Sequence, residues 1–178
     1  MCYIKYTTKK EETKMKKIVA VLLLVAALVT MASCGGKVYE ADAKEFTSNG
    51  LTITLTDAFV ETKQEGYTVC YDSKSVAVIA LKESFSLAEG VKDWTLEYYA
   101  DLIKSSNSAH SPSNPVKVGN RMVIEYTFFN PNTNVTYHYY TCMYKGNDAF
   151  WMIQFACDVN DIEEYKPYMM LWADSVRV

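Results

Sequence analysis

Between Arg121 and Cys157 the chain is three long runs rich in β-branched and aromatic residues, separated by short polar turns, and that layout leaves little choice but strands. In Arg121 to Phe129, Met122, Ile124, Tyr126 and Phe128 share one face. Arg121, Val123, Glu125, Thr127 and Phe129 share the other. Val116-Lys117-Val118 leads into this run through Gly119-Asn120, and Asn130-Pro131-Asn132-Thr133-Asn134 turns out of it. Val135 to Tyr144 then pairs with Ala149 to Cys157 across Lys145-Gly146-Asn147-Asp148. A tight four-residue loop there sets Tyr144 opposite Ala149 and Cys142 opposite Trp151. Cys157 then lies near Thr136, too far from Cys142 for a disulfide.

Upstream, Leu51, Ile53 and Leu55 alternate with Thr52, Thr54 and Thr56, the pattern of a half-buried strand. Tyr67 to Tyr71 and Val76 to Leu81 form a hairpin about Asp72-Ser73-Lys74-Ser75. Asp93 is expected to cap a helix whose Leu96, Tyr99, Ala100 and Ile103 make one apolar face. Ser105 to Pro115 is a loop. The chain ends in a second helix. Asp161 and Glu164 have capping-box spacing, Pro167 predicts a break and restart, and Ser175 to Val178 can close as a short strand. Strands joined by tight turns pair antiparallel, and helices apolar on one face must cover a sheet. The expected fold class is α+β, an antiparallel sheet flanked by helices.

The N-terminal part has a different texture. Met15-Lys16-Lys17 is basic, Ile18 to Val29 carries no polar side chain, and small residues follow. These are the three parts of a secretory signal. Twelve apolar residues span roughly 18 Å as a helix, short of a hydrocarbon core of about 30 Å. Met31-Ala32-Ser33-Cys34 resembles the lipobox of bacterial lipoproteins, with Met in the place of the usual Leu. The resemblance implies a diacylglyceryl group on the Cys34 thiol, cleavage before Cys34, and an anchor of several acyl chains. The organisation that follows is 1–14 as an upstream segment ahead of the natural start, 15–33 as a lipoprotein signal peptide, 34–45 as a lipidated tether, and 46–178 as one globular domain. The expected location is a cell membrane or outer membrane, with the domain on the extracytoplasmic side.

Removing residues 1–33 takes six basic and two acidic residues from totals of 18 and 21, leaving 12 against 19 and a net charge of −7. An acidic surface of this kind opposes nucleic acid and anionic lipid. Cys70, Cys142 and Cys157 remain after Cys34, with no CxxC and no zinc-ligand spacing, and are expected as free buried thiols.

Three stretches carry a family resemblance: Gly50-Leu51-Thr52-Ile53-Thr54-Leu55 with Asp57-Ala58-Phe59, Leu96-Glu97-Tyr98-Tyr99-Ala100, and Tyr165-Lys166-Pro167-Tyr168 with Trp172-Ala173-Asp174-Ser175-Val176. Together they resemble the PsbP-like and Mog-like group, which includes small lipoproteins. The resemblance implies an α-β-α sandwich over nearly all of the mature domain, and a role in binding or assembly. No functional residue carries over position by position.

Chemical signatures are sparse. His110 lies in the Ser/Pro/Asn loop and His138 among strand tyrosines, with no G-x-S-x-G in support of a triad. His138 and Cys142 share a strand face but stand about 13 Å apart. Asp158 to Glu164 has Ile162 and Glu163 where a calcium loop needs an oxygen ligand and Gly, so it reads as a helix start. No metal and no cofactor are expected. Aromatics crowd the 135–157 hairpin. Tyr137, Tyr139, Tyr140 and Trp151 are either core, the blander and favoured reading, or an exposed platform rimmed by Asn130 to Asn134. The leading expectation is a membrane-anchored envelope lipoprotein with a non-catalytic binding or assembly domain, tethered by lipid on Cys34 and meeting a protein partner or small ligand. A glycan- or small-ligand-binding lipoprotein serving a transporter or surface complex is the alternative, and an envelope hydrolase ranks last.

Overall fold

A computed structural model describes residues 37–178 of the chain. The segments 1–14 and 15–33 and the lipid-attachment candidate Cys34 lie outside the described residues. The elements in order are β1 (Ala43–Ser48), β2 (Leu51–Thr56), β3 (Val60–Thr62), β4 (Val69–Asp72), β5 (Ala77–Ser84), α1 (Leu96–Ser106), β6 (Val116–Val118), β7 (Arg121–Asn130), β8 (Val135–Lys145), β9 (Ala149–Asp158) and α2 (Ile162–Asp174). Seven strands form one antiparallel sheet in the order β3-β4-β5-β9-β8-β7-β6, and β1 with β2 forms a separate hairpin.

The sheet is covered on both sides, so its central strands are apolar on both faces. One face carries Val78, Tyr140, Cys142, Trp151 and Phe155, and is packed by the β1–β2 hairpin and by Tyr165, Met169 and Trp172 of α2. The other carries Met122, Ile124, Tyr139, Phe150 and Met152, and is packed by Tyr99, Ala100 and Ile103 of α1. Strand alternation assigns the two sets to opposite sides, and the α+β fold expected from the pattern, an antiparallel sheet flanked by helices, is what forms.

Several local expectations need correction. The β8–β9 register has Tyr144 opposite Trp151 and Cys142 opposite Ile153, two residues from the expected pairing. The loop is tighter than expected: Gly146 N donates to Ala149 O at 2.9 Å, closing the turn about Asn147-Asp148. A shift of two leaves every side chain on its expected face, because the pleat repeats every two residues. Asp93 does not cap α1. It ends a 3-10 turn, and Thr95 Oγ1 accepts from Tyr98 N at 3.1 Å instead. Pro167 does not break α2, which continues through it. Docking of Met169 and Trp172 into the core holds the helix together despite the hydrogen bond that proline cannot make. The C-terminal strand shrinks to one bridge, Thr52 with Arg177.

The stretch read as a tether is also mostly structured. Val38 is buried, Val38–Glu40 forms a 3-10 turn, and Ala43–Ser48 is β1. Its turn is Asn49-Gly50, with φ of +53° and +93°, the geometry of a two-residue hairpin.

Candidate functional site

The aromatic hairpin is interior. Tyr137, Tyr139, Tyr140 and Trp151 are 5, 8, 2 and 1% exposed. Alternation divides them as well: Tyr140 and Trp151 join the α2 side, Tyr137 and Tyr139 the α1 side. A platform needs rings on one accessible face, so these four do not form one, and they serve as core instead. Tyr139 stacks on Tyr126 with centroids 5.1 Å apart. Gln154 Nε2 donates to the Tyr126 hydroxyl at 2.6 Å, giving that buried phenol its partner.

The two histidines are held by different neighbours. His110 packs its ring against Phe128 and Tyr126, with centroids 5.2 and 5.9 Å away. His138 Nε2 lies 2.9 Å from Glu125 Oε2, and Glu125 also takes Lys166 of α2 at 2.8 Å. The register places Cys157, not Cys142, opposite His138. Cys157 is fully buried, and burial pushes its thiol up to about 12. Burial acts in the same direction on Cys142, to about 12, and on Cys70, to about 11. A nucleophilic cysteine requires a depressed value. All three cysteines are free. Among the described residues, no group of three His, Cys, Asp or Glu side chains could hold a metal ion.

Two buried ionisable groups tie the layers together. Glu83, near the end of β5, accepts a hydrogen bond from the Tyr99 hydroxyl of α1. Burial raises its carboxyl above the ordinary value, and that bond offsets part of the rise. On the other side Arg121 of β7 is 2% exposed and bonds Asp174 at the end of α2. Burial alone would lower the guanidinium's affinity for its proton. The bonds to Asp174 and Tyr140 outweigh it, so the group stays charged.

Two accessible surfaces bear on binding. The first lies where the described chain begins. Tyr39 stacks on Tyr168 of α2, rings 4.0 Å apart and 2° from parallel, and its hydroxyl donates to Glu164 Oε1 at 2.6 Å. Lys37 Nζ pairs with the same carboxylate at 3.0 Å. These two bonds hold the Glu164 carboxyl below its ordinary value, and they take the place of the expected capping box. Beside them runs an open groove of about 390 Å³, lined by Tyr39, Leu55, Tyr168, Leu171, Trp172 and Ser175 among others. The second surface is the β6–β7 edge of the sheet. β6 is three residues long and pairs only with Arg121–Val123. Past it, Ser113 N donates to Glu125 O at 2.8 Å, and Val116 and Phe129 stand 58 and 53% exposed.

No family model matches the chain. No curated protein matches it either. Among solved structures it is similar to the solution structure of cyanobacterial PsbP (CyanoP) from Synechocystis sp. PCC 6803, at 8% identity and a TM-score of 0.48, over 83% of this chain and 98% of that one.

Lys37, Tyr39 and Tyr168 were absent from the sequence-level site. The available signal was small: an apolar pair, Val38-Tyr39, inside an otherwise charged run.

Proposed function

We propose that the protein is a membrane-anchored envelope lipoprotein, held by lipid on Cys34, whose domain binds or assembles with a partner protein and performs no chemistry. The observation that carries this reading is how the described chain begins. Val38 is buried, and Tyr39 and Lys37 are pinned to α2 three to five residues after Cys34. A chain fixed so soon after its lipid-bearing residue leaves the domain no long leash. It sits at the membrane surface as part of whatever assembles there. The partner face is the β6–β7 edge, where exposed Val116 and Phe129 flank the backbone of β7. Such an edge accepts an extended segment of another protein by strand addition. The net charge of −7 after residue 33 favours a partner with basic side chains around that segment.

Intact mass and N-terminal peptide analysis of the protein from its own membranes test the anchor. The expected product begins at a diacylglyceryl-bearing Cys34. An unmodified N-terminus at any residue refutes that half. Crosslinking in the same membranes tests the edge. Phe129→Lys with Val116→Lys is expected to cost about 2 kcal/mol, a roughly thirtyfold loss of the crosslinked partner. Unchanged crosslinking places the partner elsewhere.

A further inference from the structure

The outer surface of α2 does not suit water. Pro167-Tyr168-Met169-Met170-Leu171-Trp172-Ala173 is a run of seven residues without a charge. Met169 and Trp172 face the core. That leaves Met170 and Leu171 on the outside at 40 and 63% exposed, beside Pro167, which is also exposed, and half-buried Tyr168. A helix packed on a sheet ordinarily turns polar residues outward. An outward strip of Pro, Tyr, Met and Leu is the kind of surface that another apolar phase covers.

What covers it follows from where the described chain begins. Lys37 and Tyr39 are fastened to Glu164 and Tyr168 on this same helix. Cys34 is three residues before Lys37, and three residues reach at most about 10 Å. Leu171 is seven residues along α2 from Glu164, roughly 10 Å of helix rise. The lipid attachment point and the apolar strip therefore lie on one side of the domain, within reach of one plane. We infer that the Pro167–Leu171 strip of α2 rests in the headgroup region of the bilayer that carries the Cys34 lipid, so that the anchor fixes the domain's orientation as well as its location. This rests on Cys34 being lipidated, as proposed above. Tyr39 and Tyr168, amphipathic rings at the edge of the strip, suit the boundary between water and acyl chains. Glu163 and Asp174 flank the strip on the exposed side. Asp174 is paired with Arg121, Lys166 lies on the same helix and Lys37 is fastened to it, so the local charges largely offset. It is the net charge of −7 after residue 33 that makes neutral lipid the contact and sets anionic headgroups against it.

The test uses the full lipidated protein in phosphatidylcholine vesicles. Leu171→Cys or Met170→Cys carries an environment-sensitive fluorophore, and Leu87→Cys, also exposed but next to the α1-side cluster, is the control. The native cysteines after Cys34 are buried and do not compete for the label. A shallow nitroxide lipid is expected to quench positions 171 and 170 about twofold or more while sparing position 87, as for side chains seated 5–10 Å into the interface. Mixing in anionic phosphatidylglycerol is expected to reduce that quenching. Protein that floats with the vesicles but shows equal quenching at 171 and 87 overturns the orientation and leaves the anchor standing. Blue-shifted emission at 171 that resists the quencher and rises with protein density overturns it in favour of a second copy on the strip. Protein that fails to float and carries no lipid by mass overturns the anchor and the orientation together.

Discussion

Replacing Tyr99 with Phe isolates one hydrogen bond and gives a pH-dependent outcome. The Tyr99 ring stacks on Phe150 at 4.4 Å, and Phe keeps that contact. Only the hydroxyl that donates to Glu83 is lost. Glu83 is 7% exposed, and burial raises its carboxyl above the ordinary value of 4.5, with the Tyr99 bond offsetting part of the rise. A raised carboxyl means the folded state holds the proton more tightly than the unfolded state. Its contribution to stability is therefore fully present below the unfolded value and is lost as pH rises through the folded one. Tyr99→Phe moves the folded value higher still. The variant thus loses stability over a wider pH range than the wild type, and the gap between them widens with pH before levelling. A hydrogen bond to a charged group is worth about 1.5–3 kcal/mol and one to a neutral group about 0.5–1.5. The expected loss is about 2 kcal/mol at pH 8 and about 1 kcal/mol at pH 4. With a urea slope of about 2 kcal/mol/M, the pH 8 midpoint falls by about 1 M. Urea unfolding of the unlipidated domain at both pH values reads this directly. Equal losses at the two pH values, or a larger loss at pH 4, refute the assignment of Glu83 as a destabilising buried charge.

Three further outcomes follow from the same packing. Asp174→Ala leaves the buried Arg121 charge without its carboxylate and is expected to cost about 2–3 kcal/mol, whereas Arg121→Met removes the charge itself and costs less; denaturant midpoints that rank the two the other way contradict this. Cys70, Cys142 and Cys157, with thiols raised to about 11, 12 and 12, are expected to resist a thiol reagent at pH 8 until denaturant is added, which mass spectrometry of the labelled protein checks. Trp172→Ala empties the contact with Phe59 at 5.2 Å and is expected to cost about 3–5 kcal/mol by the same unfolding assay.

The large strands were legible as long runs rich in β-branched and aromatic residues bounded by short polar turns, since a sheet covered on both sides buries both faces of each strand. Met122, Ile124 and Tyr126 face α1 while Val123 faces α2, as alternation requires. Register was less legible, since Lys145 to Asp148 can form a four-residue loop or a two-residue turn at Asn147-Asp148, and composition does not choose between them. The cost of that ambiguity was small: a shift of two residues moves partners without moving faces. β1 was hidden for a different reason. Ala43–Ser48 is mostly exposed and gains its strand geometry from pairing with β2, so its own side chains carry almost no pattern. The signal that could have found it is Asn49-Gly50, a hairpin dipeptide directly before the Leu51 run.

The candidate surfaces were hidden by the same logic. Tyr137, Tyr139, Tyr140 and Trp151 stood out because aromatics cluster there in sequence, yet clustering along a strand guarantees division between two faces. Such density marks a sheet covered on both sides more readily than it marks a platform. The α2 strip poses the opposite problem. In Pro167 to Ala173 every residue is uncharged, so periodicity cannot say which of them turn inward. Only once Trp172 is seated against Phe59 and Phe155, with Met169 in the same core, does geometry force Met170 and Leu171 outward. A helix apolar on both faces needs two apolar neighbours. The sheet supplies one. The second is the bilayer inferred above, on the side where Lys37 bonds Glu164.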